Sequence, residues 1–239
     1  MIKIILIIIL FFLSLKASKW LAAAILLIAL CYYTFKIISW FPFNFPKFKL
    51  DPSALNVYYG APGSGKSTLA AFWASKAIKA GIPVYSNLPI SGCFVLDKSD
   101  IGKWNIQGPA LVIFDEAGAE FNSRNFKANF TLDQIKWYKY HRHENCQVII
   151  FSQGFDDMDK ILRTLATNMF IVRKGIFKTV KYERIDKYPD IDDMTHQPID
   201  YYGFTRSGSG RIYAPAVWKM FNSFEKLGLP DKPSWEIWN

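Results

Sequence analysis

The segment from residue 60 to residue 67 constrains the fold of this chain more than any other. It reads Gly-Ala-Pro-Gly-Ser-Gly-Lys-Ser, which fits the pattern G-x-x-x-x-G-K-S. It lies between the apolar run Val57-Tyr58-Tyr59, predicted as a strand, and a stretch from Ser67 to Ala80 with the character of a helix. Glycines let such a loop turn with its N–H groups pointing inward, where they hold phosphate oxygens at a helix N-terminus. The segment therefore predicts a nucleotide-binding P-loop, also called Walker A.

The same pattern predicts the roles of its polar residues and with them the cofactors. Lys66 is expected to reach the β- and γ-phosphates of ATP, and the Ser67 hydroxyl is expected to bind Mg²⁺. The predicted nucleotide-binding residues are Gly60, Ala61, Pro62, Gly63, Ser64, Gly65, Lys66, Ser67 and Thr68.

An apolar run that ends in two carboxylates supplies the second half of such a site. Residues 110–114 form a continuous apolar stretch, typical of a strand buried on both faces of a parallel sheet, and Asp115 and Glu116 follow it. Asp115 is expected to hold Mg²⁺ through water, and Glu116 to orient or deprotonate the attacking water. Gln153 ends the next buried strand, 147–153, and is predicted to sense the γ-phosphate.

The P-loop region contains no arginine that would neutralise transition-state charge. In ring-forming NTPases a neighbouring subunit supplies this arginine. The candidates are Arg124, Arg142, Arg163 and Arg173, and their positions in the sequence do not choose among them.

Strands and helices alternate along the central part of the chain. This order predicts an α/β fold, a P-loop NTPase with a mainly parallel sheet flanked by helices. Further predicted elements are a strand at 83–87, a helix from the capping box Thr131-x-x-Gln134 to about His143, a helix over Asp157–Ala166, a strand over Met169–Arg173 and a hairpin to Thr179–Ile185.

The predicted boundaries divide the chain into four parts. Residues 1–42 form a membrane anchor, residues 43–53 a linker, residues 54–190 the P-loop ATPase domain, and residues 191–239 a C-terminal aromatic extension. The extension is expected to contain one helix that starts at Pro215 and packs on the domain or docks a partner subunit. The apolar residues that share one face of this helix are Val217, Met220, Phe221, Phe224 and Leu227.

The anchor is predicted from its composition. Residues 1–50 contain no acidic residue and six lysines, with apolar runs at Ile4–Leu15 and Trp20–Phe35. A helix over Trp20–Phe41 would be about 33 Å long at roughly 1.5 Å per residue, which is enough to cross a bilayer core of about 30 Å. A transmembrane helix is therefore expected, and Ile4–Leu15 leaves open whether a second span completes a hairpin.

Bulk charge does not mark the rest of the chain as a nucleic-acid binder. Residues 51–239 carry 23 basic and 20 acidic residues, so any nucleic-acid contact requires a local patch. One candidate patch comprises Lys136, Lys139, Tyr140 and His143, which share a helix face. It fits a single-stranded nucleic acid, an acidic partner, a subunit interface or a solvated surface.

The order of these motifs resembles the zonular occludens toxin (Zot) family. That family includes the gene I assembly ATPases of filamentous phages, within the FtsK–HerA group of P-loop ATPases. The resemblance covers about residues 54–185. It rests on Gly60–Ser67, Asp115-Glu116-Ala117, His141-Arg142-His143, Phe151-Ser152-Gln153 and Asp159-Lys160-x-x-Arg163.

The resemblance implies a membrane-anchored ATPase that drives assembly and extrusion of filamentous phage DNA. The implied location is the host cytoplasmic (inner) membrane, with the ATPase domain in the cytosol. The implied partners are further copies of the chain in a ring, expected as a hexamer, phage single-stranded DNA or a DNA–protein complex, coat or other assembly proteins, and the lipid membrane. Arg142 or Arg163 becomes the better candidate for the arginine supplied in trans.

Two other functions fit the same motifs. One is a genome-packaging ATPase of a membrane-containing virus. The other is a membrane scaffold in which nucleotide binding controls assembly with little turnover. DNA-stimulated hydrolysis separates a motor from such a scaffold.

Overall fold

The computed structural model describes residues 11, 18–44, 47–115, 131–155, 158, 160–191 and 198–221. Its helices are α1 Lys19–Asn44, α2 Lys66–Lys79, α3 Leu132–Tyr140 and α4 Lys160–Leu165. Its strands are β1 Leu55–Tyr59, β2 Val84–Ser86, β3 Phe94–Val95, β4 Ala110–Phe114, β5 Cys146–Ser152, β6 Asn168–Lys174, β7 Thr179–Ile191 and β8 Pro198–Tyr213.

The strands form one sheet in the order β3-β2-β4-β5-β1-β6-β7-β8. The five pairings from β3 to β6 are parallel, and β7 and β8 add two antiparallel pairings at one edge. The predicted α/β fold with a mainly parallel sheet is confirmed. Because parallel strands end at the same edge, the loops after β1, β4 and β5 lie side by side.

Both faces of the sheet are covered by apolar side chains and helices. On one face Val57 of β1 and Val148 of β5 pack with Trp137 and Tyr138 of α3 and with Leu162 of α4. On the other face Tyr58 and Phe151 pack with α2. The central strands are buried along their whole length, which explains why they read as continuous apolar runs.

Local signals set the ends of two helices. Gly65, with φ 99°, precedes α2, and Gly81, with φ 76°, follows it in the left-handed conformation that commonly ends a helix. At the start of α3 the Gln134 N–H donates to Thr131 Oγ1 (3.2 Å) and the Thr131 N–H donates to Gln134 Oε1 (3.0 Å). The predicted capping box is therefore confirmed.

The sheet continues beyond residue 190, where the sequence had placed the end of the ATPase domain. β8 pairs with β7 along its length, so residues 198–213 are part of the sheet and not of a separate extension. Its Tyr201, Tyr202 and Phe204 are exposed, and an edge strand of this kind lacks the buried apolar run that marks a central strand.

The helix predicted from Pro215 does not form over the described residues. Residues 214–216 make a single 3-10 turn, and Phe221 forms an isolated antiparallel bridge with Ile90. The Ser91 N–H donates to the Met220 carbonyl at 2.8 Å, and Val217 is buried in the core. These tertiary contacts outweigh the helical spacing of the apolar residues. Phe224 and Leu227 of that prediction lie outside the described residues.

Helix α1 contains the segment Trp20–Phe41 that was predicted to cross a membrane. Many of its apolar side chains are exposed, among them Leu26, Leu27, Ile28 and Leu30. Phe35 makes edge-to-face contacts with Phe177 and Tyr213, at centroid distances of 5.7 and 5.5 Å. Among the described residues, no helix meets the length and hydropathy required to span a membrane. Apart from residue 11, the apolar run Ile4–Leu15 lies outside them.

Candidate nucleotide-binding site

The P-loop runs from the end of β1 into the first turn of α2, as the sequence predicts. The Gly60 N–H donates to the Ser152 carbonyl at 3.1 Å, which ties the start of the loop to the end of β5. Gly65 adopts φ 99°, and a Cβ there would lie 2.5 Å from Val180 Cγ2 on β7. Glycine is required at this position both by the backbone angle and by the close approach of β7.

Lys66 bends back across the loop. Its Nζ donates to the Gly60 carbonyl at 2.6 Å and to the Ala61 carbonyl at 3.3 Å, and the side chain is buried. The ammonium group therefore lies beside backbone N–H groups at the N-terminus of α2, an arrangement that attracts an anion.

Ser64 supplies a further group for a bound anion. Its Oγ is buried, and no hydrogen-bond partner for it is found in the described part of the chain. A buried hydroxyl without a partner costs free energy, which a phosphate oxygen accepting its hydrogen bond would recover. The loop thus fits the phosphate groups of a nucleotide.

Ser67 and Asp115 are brought together although 48 residues separate them. The Ser67 hydroxyl donates to Asp115 Oδ2 at 2.8 Å, and Asp115 is only 3% exposed. A hydroxyl and a carboxylate are the hard oxygen ligands that Mg²⁺ prefers. No cluster of three or more His, Cys, Asp or Glu side chains suited to a metal occurs among the described residues. A magnesium ion bound here would have this pair among its ligands, together with water and phosphate oxygens.

Asn87 contacts a predicted site residue, which the sequence did not reveal. Its Nδ2 donates to the Asp115 carbonyl at 2.9 Å, and its Oδ1 accepts from the Asp115 N–H at 2.8 Å. Asn87 follows β2, the strand next to β4, and so holds the backbone of Asp115 where the strand ends. An amide residue at the end of the predicted strand 83–87 was the available signal, but it does not specify the partner.

The remaining predicted site residues lie in different surroundings. Gln153 is exposed at the end of β5, between the ends of β1 and β4, so it lies at the predicted edge. Arg142 is exposed in the turn after α3. Arg163, on α4, is half-buried, and its guanidinium lies 4.8 Å from the ring centroid of Phe155. Glu116 and Arg124 lie outside the described residues.

The candidate patch on α3 is exposed as predicted. Lys136, Lys139, Tyr140 and His143 are all accessible, and the rings of Tyr140 and His143 lie 5.6 Å apart. Lys136 Nζ lies 3.4 Å from Asp133 Oδ1, so part of the positive charge is shared with a carboxylate.

One segment of the chain is similar to a known protein family. Residues 93–199 match the family model described as zonular occludens toxin (Zot). This segment begins after the P-loop, so the assignment of the loop rests on its own sequence and geometry. Among curated proteins, none matches the chain.

Two solved structures are similar to this chain at low sequence identity. The N-terminal domain of zonular occludens toxin from Neisseria meningitidis is 18% identical, with a TM-score of 0.46, and the match covers 71% of this chain and 99% of that domain. The genome packaging NTPase B204 from Sulfolobus turreted icosahedral virus 2, in complex with ATP-gammaS, is 14% identical, with a TM-score of 0.40 and coverage of 63% and 98%.

Proposed function

We propose that this chain, whose residues 93–199 match the Zot family model, is a membrane-anchored ATPase that drives assembly and extrusion of filamentous phage DNA through the host cytoplasmic membrane. The observation that carries the ATPase part is the 2.8 Å hydrogen bond from Ser67 to Asp115. It brings together two groups with complementary roles in phosphoryl transfer, from two separate motifs.

ATP and Mg²⁺ are the proposed cofactors. Residues 60–68 would hold the phosphates through backbone N–H groups, Lys66 and the Ser64 hydroxyl. Ser67 and Asp115 would hold Mg²⁺, which neutralises charge on the phosphate oxygens when bound. Asn87 holds the Asp115 backbone through two hydrogen bonds, so this carboxylate needs little reorganisation to accept a ligand.

Turnover would depend on polar groups at the same edge of the sheet. We assign Glu116, the residue after Asp115, as the base that orients and deprotonates water. Gln153 would contact the γ-phosphate, since the Gly60–Ser152 hydrogen bond keeps the end of β5 next to the P-loop. Arg142 or Arg163 would act on the nucleotide of a neighbouring subunit in a ring, proposed as a hexamer.

Membrane attachment is proposed through residues 1–42. The apolar composition of this segment and the exposed leucines of α1 support a lipid environment for it. Removal of residues 1–42 should release the protein from membranes, measured by sedimentation with vesicles at high salt. Sedimentation of the shortened chain with vesicles under these conditions would overturn this assignment.

ATP hydrolysis with and without DNA tests the proposed motor activity. The wild-type chain should hydrolyse ATP, and single-stranded DNA should increase the rate, whereas Lys66→Ala should be inactive in both conditions. A rate that stays negligible with DNA would indicate a nucleotide-regulated scaffold. Stimulation by duplex alone would point to genome packaging. Coat or assembly proteins, the remaining proposed partners, are testable by co-purification with the chain.

A further inference from the structure

A row of positive charges crosses the antiparallel part of the sheet. Arg173 of β6 is paired with Lys181 of β7, and Lys181 is paired with Arg211 of β8. Directly paired residues of neighbouring strands point to the same face of a sheet, so these three side chains stand in a row. Like charges placed opposite one another repel, which disfavours the arrangement unless an anion compensates it.

One carboxylate compensates this row in part. Glu183 Oε1 lies 2.6 Å from Lys181 Nζ, and its Oε2 lies 3.8 Å from Arg173 Nη1. Lys181, which donates to it, holds the pKa of the Glu183 carboxyl below its ordinary value. Arg206 and Arg211 take part in no ion pair within the described part of the chain.

The row borders a groove with an exposed aromatic ring. The groove has a volume of about 550 Å³, and Lys181, Arg206, Arg211 and Phe204 line it together with Glu183. Phe204 is 61% exposed, and the Arg173 guanidinium lies 5.5 Å from its ring centroid. We call Arg173, Lys181, Phe204, Arg206 and Arg211 the cationic groove.

Arg206 lies in a short loop within β8, where the pairing with β7 shifts register, and this loop is held in place. Ser209 Oγ donates to the Thr205 carbonyl at 2.6 Å and accepts from the Arg184 N–H at 2.8 Å. Gly208 takes a positive φ of 77° within this loop. Hydrogen bonds between the Ser209 side chain and the main chain therefore fix the backbone that carries Arg206.

Charge concentrates in the groove. The four cations of the groove and the neighbouring Glu183 carboxylate give a net charge of +3. Residues 51–239 as a whole, with 23 basic and 20 acidic residues, have the same net charge. A polyanion is the complementary ligand. The exposed phenylalanine among these arginines also offers a surface on which an unpaired base of a polyanion can stack.

We propose that the cationic groove binds a single-stranded polynucleotide, with Lys181, Arg206 and Arg211 on the phosphates and Phe204 stacked against a base. A duplex fits less well because its bases are already stacked on one another and leave no free face for the ring. This proposal rests on the proposed function in one respect: it takes the bound polynucleotide to be the DNA that the ATPase moves.

Two contacts join the groove to the nucleotide-binding edge. Val180, the residue before Lys181, approaches Gly65 of the P-loop. Tyr202, on the same strand as Phe204, lies 5.5 Å from Phe155, two residues after Gln153. Lys181 of the groove directly follows a residue that approaches the P-loop, so β7 offers a route by which bound DNA alters hydrolysis.

Fluorescence anisotropy with a labelled oligothymidine and the whole chain in detergent tests the proposal. Phe204→Ala should weaken binding about 5- to 150-fold, which corresponds to about 1–3 kcal/mol for one stacked base. An Arg206→Gln, Arg211→Gln double variant should reduce the slope of log affinity against log salt by about 1.4, roughly 0.7 for each phosphate contact. An Arg206→Lys, Arg211→Lys variant should keep the slope.

The patch on α3 is the other candidate surface for nucleic acid, and its variant serves as the control. A Lys136→Gln, Lys139→Gln variant loses the same number of charges and should bind the oligonucleotide like the wild type. The proposal is overturned if the α3 variant loses binding or if the groove variants bind like the wild type. It is also overturned if the wild type does not bind the oligonucleotide, or if it binds duplex DNA more tightly. Hydrolysis of ATP by the wild type without DNA is measured separately, so a failure of the groove is distinct from a failure of the ATPase.

Discussion

The Ser67 hydroxyl donates a 2.8 Å hydrogen bond to the Asp115 carboxylate, and this contact joins the loop after β1 to the end of β4 across the intervening β5. It places the two expected magnesium ligands in contact. Asp115 is buried and held by Asn87, so the position of the pair is set by the sheet rather than by flexible loops.

Replacing Ser67 by alanine should separate metal use from nucleotide binding. Ser67→Ala removes one oxygen ligand, so magnesium-dependent hydrolysis should fall by roughly 10²-fold or more, while binding of ATP without magnesium should persist. Magnesium titrations of hydrolysis and of fluorescent nucleotide binding measure the two effects. Ser75→Ala, on the same helix but away from the loop, is the control. An unchanged rate at saturating magnesium would contradict the metal role of Ser67.

Glu116→Gln should retain ATP but lose turnover by about 10²-fold or more, since the amide cannot accept a proton from water. Lys66→Ala should lose nucleotide binding itself, because the ammonium group of the loop is removed. Equilibrium binding and single-turnover hydrolysis distinguish the two variants. If Glu116→Gln hydrolyses ATP at the wild-type rate, this residue is not the base.

The active site should be shared between subunits. An arginine supplied in trans contributes roughly 10³- to 10⁵-fold in rate. Arg142 is exposed, whereas Arg163 packs over Phe155 of its own subunit, so we favour Arg142. Hydrolysis per subunit should rise with protein concentration as rings form.

Mixed rings provide the direct measurement of this sharing. An Arg142→Ala, Arg163→Ala double variant mixed with Lys66→Ala should regain part of the activity, since each supplies the group that the other lacks. Mixed rings that form but remain inactive, or a dilute monomer that hydrolyses ATP at the full rate, would disprove the shared site.

His141 should make the fold sensitive to acid. It is buried, its Nδ1 donates to the Tyr138 carbonyl at 2.8 Å, and Nε2 has no partner within the described residues. Burial lowers the pKa of His141 below its ordinary value of 6.5, and the nearby Arg142 lowers it further. Below about pH 6.5 the unfolded chain takes up a proton that the folded chain resists, so the free energy of unfolding should fall.

Urea unfolding at pH 7.5 and 5.5 measures this effect. The difference in stability between the two pH values should be smaller in His141→Gln than in the wild type, while His143→Gln, at an exposed position, should keep the wild-type difference. An equal loss of stability on acidification in His141→Gln and the wild type would rule out this histidine as the cause.

Much of the fold and the P-loop part of the site could be predicted, because their sequence signals are local. The P-loop requires glycines at fixed positions before a helix, and Gly65 indeed adopts a positive φ. The buried strands β4 and β5 read as apolar runs because both faces are covered. The capping box of Thr131 and Gln134 needs only three residues of separation. Each of these features depends on neighbours in sequence, so the sequence alone determined them.

The tertiary structure decided what depends on strand order and register. Asn87 reaches Asp115 only because β2 lies next to β4, and Arg173, Lys181 and Arg211 form a row only because three strands pair in one register. β8 and the bridge of Phe221 to Ile90 likewise depend on partners far away in the chain. A one-residue change of register would turn the side chains of a strand to the other face without altering its composition, so composition cannot encode these contacts.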